Sequence, residues 1–149
     1  METAIVIGYG NELRGDDAIG QMIARIIKSR GLLSVKSIAV HQLTPELSEP
    51  LASARLAIFV DACVDYQSDK VKVISLLPSY SQNINGHICD PQSLLYLAKF
   101  LYNNCPETWL ITVPGVNFEL SDQISPTAEK GMEIALTKIM EILNQNHNL

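Results

Sequence analysis

The chain has 149 residues, 47% of them hydrophobic and 18% charged, and this length and composition predict one compact domain over residues 1–149 with its own core. Its net charge of -5 disfavours binding to nucleic acid and to anionic membrane surfaces, because like charges repel. The sequence shows no signal-peptide pattern, no run long enough to span a membrane and only three, widely spaced cysteines, so we expect a cytoplasmic protein.

The first third of the chain alternates between strand and helix patterns. Thr3–Tyr9 is a nearly continuous run rich in Ile and Val, typical of a strand that is covered on both faces. An apolar helical face follows from Asp17 until Gly31 ends it. A second strand is predicted over Val35–Val40, and the pair Thr44–Pro45 predicts the start of a short helix, with the threonine as its cap.

Two further strands are predicted with a short connection between them. Leu56–Val60 has the pattern of a buried strand that ends at Asp61, and Val71–Leu77 has the pattern of a fourth strand. Roughly ten residues separate the two, which is close to the minimum for a parallel crossover that contains a helix. We therefore predict that the fourth strand is antiparallel.

The last part of the chain repeats the alternation. Asp90–Pro91 gives a second cap-and-proline signal before an apolar helical face, Trp109–Val113 is a fifth strand, and Ser125–Pro126 opens a final helix. Strands that alternate with helices favour an α/β fold. The sequence predicts a three-layer α/β/α sandwich around a twisted, mostly parallel sheet of five strands.

Polar side chains follow three of the predicted strands. Asp16 and Asp17 lie in the loop after the first strand, Asp61 ends the third, and His87 follows the fourth. Ligands of open α/β sheets gather beyond the carboxyl ends of the strands. Two carboxylates and one imidazole suit a borderline divalent ion such as nickel, zinc, iron or manganese.

Each of these residues also has a purely structural interpretation. Asp16 and Asp17 precede a helix, where acidic side chains cap amide groups and interact favourably with the helix dipole. Asp61 is compatible with a turn, although an acid directly after an apolar run must find hydrogen-bond donors or face a cleft. A single loop histidine such as His87 is usually solvated, and an isolated cysteine such as Cys89 usually packs in a core.

Several familiar motifs are excluded. The run Gly8–Gly10 resembles the start of a dinucleotide fingerprint, but Leu13 occupies the position of its third glycine. The chain contains no phosphate-binding GxxxxGK[ST] loop, no HExxH helix, no GxSxG elbow and no CxxC pair. A protease with this sequence would therefore lack the usual protease machinery.

Three ordered motifs resemble those of the hydrogenase maturation endopeptidase family, over nearly the whole chain. The run Gly10–Gly20 (GNELRGDDAIG) is similar to the family's GN-x-L-x-x-D-[ED]-x-x-G signature. Ile58–Ala62 is similar to its strand ending in VDA, and His87 with the LL and LY pairs that follow is similar to its H-x(n)-LL…LY segment. His41-Gln42 stands where some members have Asp-Gly, and the stretch His41–Leu47 (HQLTPEL) resembles the branch that serves bidirectional NAD-linked hydrogenases.

The resemblance carries expectations about the fold and the site. It implies a sheet order of 2-1-3-5-4 with the fourth strand antiparallel. It also implies that Asp17, Asp61 and His87 are the three metal-contacting positions. The first of them is often glutamate in the family, so the shorter aspartate here implies a metal that lies deeper or is bound less tightly.

The implied activity is that of an endopeptidase that removes the C-terminal extension from the precursor of a nickel-iron hydrogenase large subunit. In this view nickel is carried by cysteines of the precursor rather than held tightly by the free enzyme, which we expect to be a monomer. Nickel would position the scissile bond or also activate a water molecule. In the absence of a Ser/His or Cys/His constellation we expect water as the nucleophile, with Asp16 or Asp17 as the base.

Three other functions stay open at this point. The same ligands would serve a nickel-binding maturation chaperone without catalytic activity. The family's architecture resembles nucleoside phosphorylases, but Arg14 is the only basic residue in the loop after the first strand, which is poor support for phosphate binding. A plain interaction domain is the third alternative.

Overall fold

The computed structural model of the chain describes residues 4–64, 70–80 and 89–147, and in it one five-stranded sheet carries helices on both faces. The strand order is β2-β1-β3-β5-β4. The strands are β1 Ala4–Tyr9, β2 Val35–Val40, β3 Leu56–Val64, β4 Lys72–Leu76 and β5 Glu107–Gly115. All neighbours are parallel except β4 and β5, which are antiparallel, so the predicted order and the direction of the fourth strand are both confirmed.

In the described ranges, three α-helices and two short 3₁₀ turns lie between strands, and a fourth α-helix follows β5. The helices are α1 Ile19–Ser29, α2 Ser48–Ala52, α3 Pro91–Tyr102 and α4 Pro126–His147, and the 3₁₀ turns Gly15–Ala18 and Pro45–Leu47 precede α1 and α2. No helix among these ranges combines the length and the apolar character that a bilayer span requires.

The two faces of the sheet bury separate apolar cores because successive strand side chains point to opposite faces. Val6 of β1 belongs to the core beneath α1 and α4, whereas Ile5 and Ile7 belong to the core beneath α2 and α3. All three side chains are at most 1% exposed. The continuous apolar run of β1 thus reflects its place between β2 and β3, with a helical layer on either side.

The predicted capping residues are confirmed at two of three places. The Asp90 carboxylate accepts a hydrogen bond from the Ser93 amide at 2.7 Å, and the Ser125 hydroxyl accepts one from the Ala128 amide at 3.1 Å, so both residues cap as predicted. A helical segment does begin after Thr44, with Pro45 at its first position, as predicted. The predicted cap is wrong, because the Thr44 side chain makes no capping hydrogen bond.

The predicted end of the third strand is also wrong, and the difference affects the site. β3 continues past Asp61 to Val64, because β5 pairs with it along its whole length up to Gly115. Pairing between β1 and β3 stops earlier, at Gly8 and Val60. Asp61 therefore lies at the point where β3 has lost one neighbour and kept the other.

Two glycines bring α1 unusually close to the sheet. A Cβ atom at Gly20 would lie 2.5 Å from the Tyr9 carbonyl oxygen and 2.6 Å from that of Val60, and one at Gly8 would collide with the Gly20 carbonyl. Only residues without a side chain permit this contact. It seats the first turn of α1 directly over the carboxyl ends of β1 and β3.

Candidate functional site

Two of the predicted ligands, Asp17 and Asp61, meet at the carboxyl ends of β1 and β3. Asp17 lies in the 3₁₀ turn, where its Oδ2 accepts a hydrogen bond from the Asn11 amide at 2.8 Å. The two carboxylates are near enough that the negative charge of Asp17 acts on Asp61. Both side chains are partly exposed, so the pair is open to solvent at this edge of the sheet.

The environment of Asp61 disfavours its ionised form. Burial, followed by repulsion from Asp17, raises the pKa of Asp61 to about 6, although hydrogen bonds from the Ala62 amide and the Tyr9 side chain lower it in part. A carboxyl group in this state has two ways to avoid the cost of its charge. It can hold a proton, or it can bind a cation.

Tyr9 is a residue of the site that the sequence analysis did not single out. Its phenol group donates a hydrogen bond to Asp61, and its ring packs edge-on against Phe59 with ring centroids 6.5 Å apart. Burial, and then the charge of Asp61, raise the pKa of Tyr9, so its hydroxyl stays a donor. An aromatic residue with a polar tip at the end of a buried strand was the available signal.

Asp16 does not share the open environment of Asp17. Its side chain is fully buried, and its carboxylate accepts four hydrogen bonds from the segment between β5 and α4. The donors are the Val116 amide at 2.8 Å, the Asn117 amide at 3.1 Å, the Ser125 amide at 2.7 Å and the Ser125 hydroxyl at 2.7 Å. Burial alone would raise the pKa of Asp16, but these hydrogen bonds outweigh it and lower the pKa.

Backbone contacts reinforce this connection between the two loops. The Asp16 amide donates to the Asn117 carbonyl at 2.8 Å, and the Gly15 amide donates to the Ser121 carbonyl at 3.0 Å. Gly15 has a φ of 53°, and a Cβ atom there would lie 2.6 Å from the Asn117 carbonyl oxygen. The loop that carries Asp17 is thus fixed to the start of α4 immediately beside it.

The other end of the same loop is also anchored. The Gln21 side chain, which is 5% exposed, donates to the Gly10 carbonyl at 2.7 Å. The Gly10 amide donates to the Val40 and His41 carbonyls, both at 3.2 Å. His41 therefore contacts the loop through its backbone, while its side chain is exposed.

The remaining candidates have different outcomes. Cys89 is 8% exposed and belongs to the core beneath α2 and α3, as the packing interpretation predicts. Burial raises the pKa of its thiol. His87, the third predicted ligand, lies outside the described residues, so its role stays a prediction. Within the described ranges no group of three His, Cys, Asp or Glu side chains is arranged to hold a metal ion.

Comparisons with known proteins give structural matches alone. No protein-family model and no curated protein matches the chain. The chain is similar to the hydrogenase maturating endopeptidase HybD from E. coli, with a TM-score of 0.75 and 21% identity over 96% of this chain and 93% of that one.

Two archaeal structures are similar to the same degree. The [NiFe] hydrogenase maturation protease HycI from Thermococcus kodakarensis has a TM-score of 0.73 and 21% identity, over 95% of this chain and 92% of that one. The hydrogenase 2 maturation peptidase from a Thaumarchaeota archaeon has a TM-score of 0.72 and 20% identity, over 96% and 99%. At these identities the likeness establishes a shared fold along almost the whole chain.

Replacement of the buried Asp16 carboxylate should destabilise the protein strongly. In Asp16→Asn the side-chain NH₂ group faces amide donors, and we expect a loss of about 2 to 4 kcal/mol in the free energy of unfolding at pH 7. Because the folded-state pKa of Asp16 is lowered, its stabilisation is present above the ordinary aspartate pKa and is lost as the pH falls through the folded-state pKa. Urea unfolding at several pH values measures this. Ser125→Ala removes one of the four bonds and also the cap bond to the Ala128 amide, but it keeps the charged carboxylate and its three amide donors. Most of the pH dependence should therefore remain in this variant, and its complete loss would contradict the assignment.

In contrast to replacement of Asp16, replacement of the Asp61 carboxylate should stabilise the protein at neutral pH. Its folded-state pKa is raised to about 6, so the folded protein binds more protons than the unfolded chain between that value and the ordinary one, and ionisation destabilises the fold as the pH rises. Asp61→Asn should be about 1 to 2 kcal/mol more stable than the wild type at pH 7, after allowance for partial exposure, and equal to it near pH 4. Thermal unfolding at both pH values, with the exposed Asp122→Asn as control, tests this. A difference that does not depend on pH would contradict it.

Proposed function

We propose that this chain is an endopeptidase that removes the C-terminal extension of a nickel-loaded [NiFe] hydrogenase large-subunit precursor. One observation carries the proposal: the acidic pair Asp17 and Asp61 lies at the carboxyl edge of a sheet whose fold is shared, over almost the whole chain, with proteins described as hydrogenase maturation proteases. The site is where ligands of open α/β sheets bind.

Nickel enters this proposal as part of the substrate. The precursor brings the ion on its own cysteines, and Asp17, Asp61 and His87 complete its coordination. Carboxylate and imidazole donors suit a borderline divalent ion. The repulsion between Asp17 and Asp61 supports a cation between them, because a divalent ion would relieve the cost that raises the pKa of Asp61.

The residues of this chain have separate tasks in the proposed reaction. Tyr9 orients Asp61 through its hydrogen bond, and Asp17 is kept in place by the Asn11 amide. Of the two candidate bases, Asp17 is favoured over Asp16, whose buried carboxylate is occupied by four hydrogen bonds and has no access to water. The nucleophile is a water molecule, and the substrate-borne nickel positions the scissile bond beside it.

Loss of a ligand should abolish processing while the fold survives. Asp17→Asn and His87→Ala should each reduce cleavage of nickel-loaded precursor by at least a hundredfold, because each removes one donor to the ion. The measurement is the mass of the precursor before and after incubation with purified protein. Asp122→Asn and His147→Ala are the matched controls and should cleave normally.

Wild-type rates in either ligand variant would refute the proposed site. Stable binding of the precursor by the wild type with no shortened product would instead favour a nickel-binding chaperone.

Nickel loading of the precursor should decide whether it is cut. The wild type should leave nickel-free precursor intact and should cleave it after nickel is restored, because the ion is the feature that the acidic pair recognises. Mass spectrometry of the two precursor forms, incubated side by side, gives the answer. Cleavage of both forms at the same rate would remove nickel from the mechanism while leaving the protease activity in place.

A further inference from the structure

An open groove runs along the sheet edge formed by β2. It lies between this strand and α1, encloses about 590 Å³, and is lined by Arg25, Lys28, Leu32 and the segment Val35–Ala39. Among the described strands β2 pairs with β1 alone, so its other side is a sheet edge. Every residue of β2 is partly buried or exposed, and none is fully buried.

The backbone of β2 presents hydrogen-bonding groups to this groove. The Ala4 amide donates to the Ser34 carbonyl and the Gly10 amide donates to the Val40 carbonyl. In a parallel ladder alternate residues of a strand bond to the neighbour, so the even-numbered residues of β2 face β1. The amides and carbonyls of Val35, Ser37 and Ala39 therefore point away from the sheet, into the position that a further strand would occupy.

The charge around this edge is opposite to that of the rest of the protein. Residues 18–45 contain four of the eleven basic residues and not one Asp or Glu, in a chain whose net charge is -5. Arg25 is paired with Glu12, but Lys28 and Lys36 are exposed. Lys28 belongs to α1, on one face of the sheet, whereas Lys36 shares its face with Ile38, which packs in the core beneath α2 and α3. A strand added at this edge would have a basic residue on either side.

We propose that the edge of β2 docks an extended acidic segment of the large-subunit precursor by strand addition. Outward backbone groups supply affinity in this mode of recognition, and side chains at alternate positions supply specificity. Aspartate and glutamate on both faces of the added segment would match Lys28 and Lys36. A second copy of this chain is disfavoured as the occupant, because pairing β2 with β2 would bring the same lysines together. The proposal rests on the proposed function.

The groove is also connected to the site. Arg25, which lines it, pairs with Glu12 of the loop between β1 and α1, and that loop carries Asp17. At its far end β2 reaches Val40, whose carbonyl is bound by Gly10 at the start of the same loop. A precursor segment held along β2 would be anchored beside the acidic pair. The precursor would then be bound before its nickel reaches Asp17 and Asp61.

Charge reversal at the edge of β2 tests the electrostatic part of the docking proposal. We expect Lys28→Glu combined with Lys36→Glu to raise KM for nickel-loaded precursor at least tenfold with kcat within twofold of the wild type. Lys130→Glu combined with Lys138→Glu, at exposed positions of α4, makes the same change in net charge elsewhere and should leave KM unchanged. Equal KM values for the two double variants would overturn the inference. An inactive wild type would overturn the proposed function and this inference together, so the two failures are distinguishable.

Proline substitution tests strand addition. Ser37→Pro removes an outward amide without touching the ladder to β1, whereas Ser37→Ala removes only the hydroxyl that donates to the Ala24 carbonyl at 2.6 Å. We expect KM to rise at least fivefold for the proline variant relative to the alanine variant, with kcat unchanged. Ala39→Pro, at a second outward position, repeats the test should Ser37→Pro unfold. A folded proline variant with the KM of its alanine counterpart would overturn docking by strand addition.

Discussion

The buried carboxylate of Asp16 holds together two segments that are about a hundred residues apart in the sequence. Four hydrogen bonds join it to the end of β5 and to the cap of α4, and the backbone of the same turn is bound to the β5–α4 segment. A carboxylate is tolerated in the interior only when its oxygens are satisfied in this way. The next residue, Asp17, is consequently fixed at the rim of the sheet. Neighbouring aspartates thus have different tasks, because one side chain points into the protein and the other lies at its surface.

The acidic pair is an unfavourable arrangement in the free protein. Asp61 is desolvated and repelled by Asp17, and Tyr9 offsets only part of that cost. Functional sites often keep such unfavourable contacts, since the ligand relieves them. A cation delivered by a substrate would bind favourably at such a site, because the free protein already holds two carboxylates close together and the cation would remove their repulsion. The loop between β1 and α1 therefore contributes both to stability, through the hydrogen bonds of Asp16, and to the candidate site, through the repulsion between Asp17 and Asp61 of β3.

The edge of β2 adds a second, electrostatically distinct surface. An acidic protein with a basic sheet edge is polarised, and the edge is adjacent to the loop that carries Asp17 through the Arg25–Glu12 pair. Lysine on an edge strand also opposes unwanted pairing with other edges. The same residues that protect the edge from another copy of the chain would select for an acidic segment, so protection and recognition have one physical basis.

The sequence by itself determined the alternation of strands and helices, the caps at Asp90 and Ser125, and the antiparallel fourth strand, because apolar periodicity, capping chemistry and connection length act over short stretches of chain. It also singled out Asp61, which directly follows an apolar run, whereas Asp17 was distinguished from Asp16 by the resemblance to the family's motif. The tertiary structure alone decided that β3 continues past Asp61, because its extension depends on β5, some fifty residues away. It alone assigned the Asp16 carboxylate to the β5–α4 segment and Tyr9 to Asp61. Contacts between segments that are distant along the chain decide these features, so local sequence patterns cannot predict them.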